Sequence, residues 1–129
     1  MTLALFVGAG GFLGSIARYL LSGWVQRAAQ DSWLPYGTMS VNLLGCLVIG
    51  VLAGLAQSRG ILTPNSRAFL LVGVLGGFTT FSSFSYDTVG LFNDGRTLAA
   101  LLNIAGQVIL GITATWLSYH LVQRIGGAA

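Results

Sequence analysis

The sequence predicts an all-α integral membrane protein of four transmembrane helices, and three observations carry that prediction. The chain is 54% hydrophobic and only 7% charged over 129 residues, with a mean hydropathy of +0.80. Soluble domains carry about 25% charged residues, so too few polar side chains are present to cover a water-facing surface. Four apolar segments, residues 3–21, 38–56, 68–92 and 98–121, each approach or exceed the roughly 20 residues that a hydrocarbon core demands of a helix. The segments between them collect turn residues, charges and aromatics, as chain leaving a bilayer does. The length suits one domain, residues 1–129, acting as a single four-helix unit.

The first span, within LALFVGAGGFLGSIARYLL, follows an N-terminus without the basic stretch of a signal peptide, and is expected to be retained. Gly8, Gly11 and Gly14 match the glycine turn of dinucleotide-binding folds, but that motif requires a strand–helix–strand context. The following residues offer no second strand, and Asp31 sits in a polar connector beside Trp33 and Pro35. Close helix packing explains the glycines better. Gly10/Gly14, Gly50/Gly54 and Gly73/Gly77 are small-xxx-small pairs, which let backbones approach and predict a tight bundle with helices crossing between subunits. The first connector carries Trp24, Trp33 and Tyr36 as interfacial anchors. In the second span Asn42 stands alone, and the single cysteine, Cys46, reads as a small packing residue, with no disulfide framework possible. Pro64-Asn65-Ser66 marks the start of the third span. That span is the longest, and Gly76-Gly77 with Thr79-Thr80 predict a break near its middle. The turn Asn93-Asp94-Gly95-Arg96 makes spans three and four antiparallel neighbours.

All six basic residues are arginine, and the acids are Asp31, Asp87 and Asp94. A basic balance built on so few charges forms no stripe, which argues against nucleic acid as a partner. Four spans put both termini on one face, with Arg59, Arg67 and Arg124 there and Arg18, Arg27 and Arg96 opposite. Orientation follows the excess of Lys and Arg, so an even split gives no bias. The expectation is insertion both ways up and pairing as an antiparallel, dual-topology homodimer.

Polar groups inside the spans are costly unless they pair or face water. Asn42, the pair Asn103 and Gln107 four residues apart, and hydroxyls at Thr79, Ser82, Ser83 and Tyr86 all fall there. Phe78, Phe81 and Phe84 recur on a neighbouring stripe. One reading is that these groups bond and pack across helices. The other follows from their being neutral donors from three spans. Cation routes place carboxylates in the membrane, whereas amide and hydroxyl donors and the positive edges of phenyl rings suit an anion. Carbonyls freed at a helix break suit a cation such as Na⁺. An enzyme is not expected, because His120 is alone near a span end and no nucleophile–base pair appears.

GGFLGSIARY, PYGTMSVNLLGCLVIG and GGFTTFSSFS, in that order, resemble the Fluc/CrcB family of fluoride channels, over nearly the whole chain. The resemblance implies a dual-topology antiparallel homodimer in the bacterial inner (cytoplasmic) membrane. It implies two pores that passively export fluoride and reject chloride, and a central structural Na⁺ at the dimer interface. By motif, Asn42 matches the pore asparagine, Phe81 and Phe84 the paired phenylalanines, and Ser82, Ser83 and Ser85 the hydroxyl-rich part of the third span. Gly76 and Thr79 match the carbonyl donors to Na⁺, and Arg18 a vestibule arginine. Asn103 and Gln107 stand where relatives carry Tyr, His, Ser or Thr, and are assigned to the pore through a looser alignment. Asp87 falls where relatives often have Glu. The alternatives are a small multidrug resistance-type transporter, which needs an acid in the first span, and a non-transporting membrane assembly protein, for which the glycine pairs would suffice.

Overall fold

Apolar runs bounded by turn chemistry become five helices in the computed structural model, which describes residues 1–30, 32–60 and 62–126, without the Arg59 side chain. Asp31, weighed above as a possible nucleotide contact, lies outside the described residues. Helix α1 is Thr2–Ala28 and α2 is Tyr36–Arg59. Helix α3 covers residues 64–78: an α-turn at Pro64–Arg67, a π-helical stretch at Ala68–Leu75 and a last α-turn at Gly76–Phe78. Helix α4 is Phe81–Asn93. Helix α5 runs Thr97–Gly126 through a π-helical segment at Gly106–Leu110. Helices α3 and α4 together form the third span, Pro64–Asn93, so four stretches are long and apolar enough to cross a membrane. The helices overrun the expected spans. The largest difference is in α1, which continues to Ala28, because residues 22–28 contain no proline and the run Gln26-Arg27-Ala28 favours helix.

Local chemistry sets the ends. At the start of α3 the Ser66 amide donates to Thr63 Oγ1 at 3.2 Å and Pro64 follows the cap, the arrangement expected where proline's missing N–H is harmless. Helix α4 closes in a Schellman turn: Gly95 N donates to Phe92 O at 3.0 Å, and Arg96 N to Leu91 O at 2.9 Å. Gly95 holds φ +73, the left-handed value that this turn requires. Leu91 then packs with Ala99 and Ala100 beside Leu34, folding α5 back along α4. The Arg96 guanidinium lies 5.5 Å from the Trp33 ring centroid, so the first and third connectors meet at one end of the bundle.

The glycine pairs work within the chain. A Cβ on Gly10 would stand 2.9 Å from Val74 N, and one on Gly14 2.9 Å from Phe78 N. A Cβ on Gly73 would stand 2.9 Å from the Gly10 Cα, and one on Gly77 2.6 Å from Gly11 O. The first and third pairs therefore face each other and bring α1 backbone to α3 backbone. The second pair faces α5, where a Cβ on Gly54 would lie 2.9 Å from Tyr119 O. The expected crossing between subunits is not needed to explain any of the three. Gly8, Gly11 and Gly14 lie on one continuous helix, which removes the strand–turn–helix context of a nucleotide loop.

The most deeply buried positions are small residues and one amide. Val41, Ala99, Ala100 and Asn103 are at most 2% exposed, while large apolar side chains are exposed along every span. That inversion suits a lipid surround, where helices associate through close packing and hydrogen bonds and not through water exclusion.

Candidate functional site at the helix break

The third span is interrupted at two residues. Thr79 (φ −82, ψ 154) and Thr80 (φ −149, ψ 113) are extended. Gly76 and Gly77 remain helical, so the break is narrower than the 76–80 region expected from composition. Gly77 serves the close approach to Gly11 and not the unwinding.

An extended dipeptide at membrane depth leaves backbone groups without helical partners, which lipid cannot satisfy. Asn42 on α2 supplies them. Thr80 N donates to Asn42 Oδ1 at 2.7 Å, and Asn42 Nδ2 donates to Thr80 O at 3.1 Å. The side-chain amide thus stands in for a neighbouring peptide. Thr79 bonds backward, its N and Oγ1 both donating to Leu75 O at 2.9 Å. Thr80 also caps α4, its Oγ1 accepting from Ser83 N at 3.2 Å and donating to Ser83 Oγ at 3.1 Å. Ser82 Oγ lies 3.2 Å from the same Thr80 oxygen. With the Thr80 proton given to Ser83, the Ser83 hydroxyl proton is free to donate.

Asn42 is also the end of a longer chain of bonds. Its Nδ2 donates to Gln107 Oε1 at 2.7 Å, Gln107 Nε2 to Asn103 Oδ1 at 2.9 Å, and Asn103 Nδ2 to Thr88 Oγ1 at 2.9 Å. Thr88 Oγ1 donates to Phe84 O at 2.7 Å. The path leaves α4 at Thr80, crosses α2 and α5, and returns to α4. Asn103, 0% exposed, has its amide oxygen and nitrogen both paired.

Two hollows meet at Thr80. One, about 380 Å³, is lined by Asn42, Thr79, Thr80, Phe81, Phe84 and Gln107 among apolar neighbours. Phe81 and Phe84 sit there one helical turn apart, ring centroids 5.5 Å apart and tilted by 53°, and Phe81 is 78% exposed. The other, about 300 Å³, is lined by Arg18, Tyr19, Ser22, Thr38, Thr80 and Ser83. It adjoins an outer, more polar hollow through the shared Ser22, Gly23 and Thr38. In that outer hollow Thr38 Oγ1 donates to Asp87 Oδ2 at 2.7 Å.

Arg18 Nε donates to Gly77 O at 3.1 Å, a cation at the carbonyl end of α3, where the helix dipole favours it. Among the described residues, the carbonyls of Gly76, Phe78 and Thr79 accept no hydrogen bond. A Cβ on Gly76 would meet nothing within 4 Å, and Gly76 is exposed.

The break brings together most of the residues singled out from sequence: Asn42, Gly76, Thr79, Phe81, Phe84 and Gln107 share one hollow, and Arg18 and Ser83 the adjoining one. Ser82 lies at the cap, exposed, and Ser85 bonds back to Phe81 O at 3.0 Å, turned along its own helix. Asn103 is enclosed behind Gln107. Thr88 and Thr38 were missed. Thr88 is four residues beyond Phe84 on the hydroxyl-rich helix, a spacing that points back at the Phe84 carbonyl. Thr38 carries no signal before its partner Asp87 is placed in space.

Comparison with known proteins identifies the family. The family model described as CrcB-like protein, Camphor Resistance (CrcB), matches residues 5–119. A protein of Methylobacillus flagellatus named fluoride-specific ion channel FluC is 43% identical over 119 residues, covering 92% of this chain and 93% of the relative. One of the same name from Nitratidesulfovibrio vulgaris is 48% identical over 111 residues, 86% of this chain and 89% of the relative. Another from Thermus thermophilus is 45% identical over 124 residues, 96% and 93%. With four membrane-capable helices, a third span interrupted at two threonines and matches of this extent, the chain is a multi-pass membrane protein that belongs to the CrcB family.

Proposed function

We propose that this chain is a fluoride-selective ion channel and not an enzyme, as the names of its relatives suggest. It lets fluoride leave the cytoplasm passively across the inner (cytoplasmic) membrane, as an antiparallel, dual-topology homodimer with two pores. The observation that carries the reading is the break at Thr79-Thr80. It sets the carbonyl end of α3 and the amide end of α4 back to back, and those ends attract ions of opposite sign. On the amide side stand the phenyl edges of Phe81 and Phe84 and neutral donors from Ser82, Ser83 and Gln107. Asn42 and Ser85, assigned to the pore by motif, hold their protons in bonds to Thr80, Gln107 and Phe81 and would have to release them to reach the ion. Fluoride must exchange its water for contacts strong enough to admit it and weak enough to release it, and several neutral donors meet that requirement. Among them the Ser83 hydroxyl, which accepts from Thr80 and so keeps its own proton, lines the hollow it shares with Arg18, which gives an entering anion a positive vestibule leading to a hydroxyl.

On the carbonyl side a structural Na⁺ fits the donor set. The Gly76 and Thr79 oxygens are hard, neutral and without hydrogen-bond donors of their own, the type a small hard cation takes. Bound there, it would neutralise partial negative charge that lipid leaves exposed. The same argument favours a second copy over that face: unsatisfied carbonyls and an exposed Phe81 at mid-span suit protein cover better than hydrocarbon. The even split of arginines permits the copy to be inverted. The transporter alternative loses its requirement, since α1 carries no acid.

Purified protein in liposomes loaded with fluoride tests the reading. Release down the gradient, with chloride leaving far more slowly, is the expected result. Absence of fluoride release would refute it, and proton-driven movement of an aromatic cation would favour the transporter.

A further inference from the structure

We propose that Thr88, Asn103 and Gln107 form a directional amide relay that fixes the rotation of α4, and that Asn103 is a positioning residue and not a donor to the ion. The proposal rests on the channel reading for its consequence, since α4 carries Phe81 and Phe84, but its geometry stands apart from that reading.

The direction of the relay is fixed at both ends by backbone groups that cannot be reversed. Thr80 N–H can only donate, so Asn42 must turn its oxygen toward it, at 2.7 Å. The Asn42 nitrogen then faces Thr80 O and Gln107 Oε1. Both of its protons are occupied, and Gln107 must present its oxygen. Gln107 therefore gives its nitrogen to Asn103 Oδ1, Asn103 gives its own to Thr88, and the Thr88 hydroxyl is left with only its proton to offer. It offers it to Phe84 O, a group that can only accept. Every carboxamide orientation follows from the two termini, with no donor facing a donor. Flipping Asn42 or Gln107 would place like groups together at two joints of the chain, and flipping Asn103 would set its nitrogen against that of Gln107 and leave the single Thr88 proton to serve two acceptors.

The relay begins at the cap of α4 and ends two turns along the same helix, anchored between on α2 and α5. Two attachment points on one helix, at Thr80 and at Thr88, prevent it from turning about its own axis. Phe84 is bound into the second point through its carbonyl, and Phe81 lies between the two. The π-helical segment Gly106–Leu110 contains Gln107 itself and alters the helical phase where it meets Asn42. Asn103 is 0% exposed, which leaves no hollow from which an ion reaches it without dismantling the relay.

The test uses fluoride release from liposomes by Thr88→Val, Thr88→Ser, Asn103→Leu and the double variant Thr88→Val/Asn103→Leu. Thr88→Val and Asn103→Leu should each slow release about tenfold, and the double variant no more than about tenfold, because one relay is cut twice. Thr88→Ser keeps the hydroxyl and should stay within about twofold of the unaltered chain. Thr88→Val releasing fluoride at the unaltered rate would overturn the proposal, as would losses that multiply to about a hundredfold. Side-chain amide hydrogen exchange on the unaltered chain gives a second judgement that needs neither a variant nor conduction. The Asn103 amide protons should exchange the slowest of the three carboxamides. Exchange as fast as that of an exposed amide would place Asn103 in contact with water and end the proposal. Failure of the unaltered chain to release fluoride would sink the channel reading alone, and the relay would then be judged on exchange.

Discussion

Asn42 joins the break to the relay, and its substitution separates shape from hydrogen bonding. Aspartate at 42 keeps the volume but has no N–H for Thr80 O or Gln107 Oε1, both of which Asn42 now serves. Leaving these part-buried acceptors without donors costs up to about 1–3 kcal/mol each. Asn42→Asp is therefore expected to slow fluoride release at least about tenfold while dimers still form, read by efflux and by size-exclusion chromatography. Phe81→Ile and Phe84→Ile retain apolar bulk but lose the ring edge, the part of a phenyl that carries positive charge. Each should impair release without preventing assembly, and normal conduction by all three variants would place the ion's route elsewhere. The residues at this site were legible in the sequence as types: a lone amide, two amides four apart, a run of hydroxyls. Their roles were not. That Asn42 pairs with the backbone of Thr80, or that Asn103 lies behind Gln107, depends on which residues unwind, and composition assigned the break too widely.

At the scale of elements, glycine separates into positions that touch and positions that do not. Gly14 has no room for a methyl group against the α3 backbone, whereas a Cβ on Gly8 meets nothing within 4 Å. Gly14→Ala should lower stability by about 2 kcal/mol or more through a forced separation of α1 from α3. Gly8→Ala should be neutral or stabilising, because alanine favours helix by up to about 1 kcal/mol over glycine. Thermal unfolding in detergent distinguishes them, and equal losses in both would contradict the packing described. The small-xxx-small spacing made these contacts readable in advance, because a repeat of four on a helix specifies a face whatever the partner. Sequence did not reveal the π-helical segments at Ala68–Leu75 and Gly106–Leu110. Each alters the phase of a helix whose amphipathic pattern is already faint in a lipid-facing chain. Thr80→Val tests the break itself: removing the cap on α4 should cost about 0.5–2 kcal/mol and loosen Ser83, seen as faster amide exchange at the start of α4.

For the whole molecule, four spans and an even division of arginines leave orientation undetermined, and a face with open carbonyls at mid-span leaves the single chain incomplete. The proposed antiparallel pair would resolve both. Two variants, one with a cysteine at the Asn93–Arg96 turn and the other with a cysteine in the connector before Pro64, reconstituted together should crosslink to each other, joining opposite ends of two copies. Crosslinks joining only like ends would refute the inverted arrangement. The central claim, that the break passes fluoride and little else, is tested most directly by current across a planar bilayer with fluoride on one side and chloride on the other. The account predicts a reversal potential that follows the fluoride gradient and is indifferent to pH. A reversal potential near zero under those conditions, or one set by the proton gradient, would contradict it.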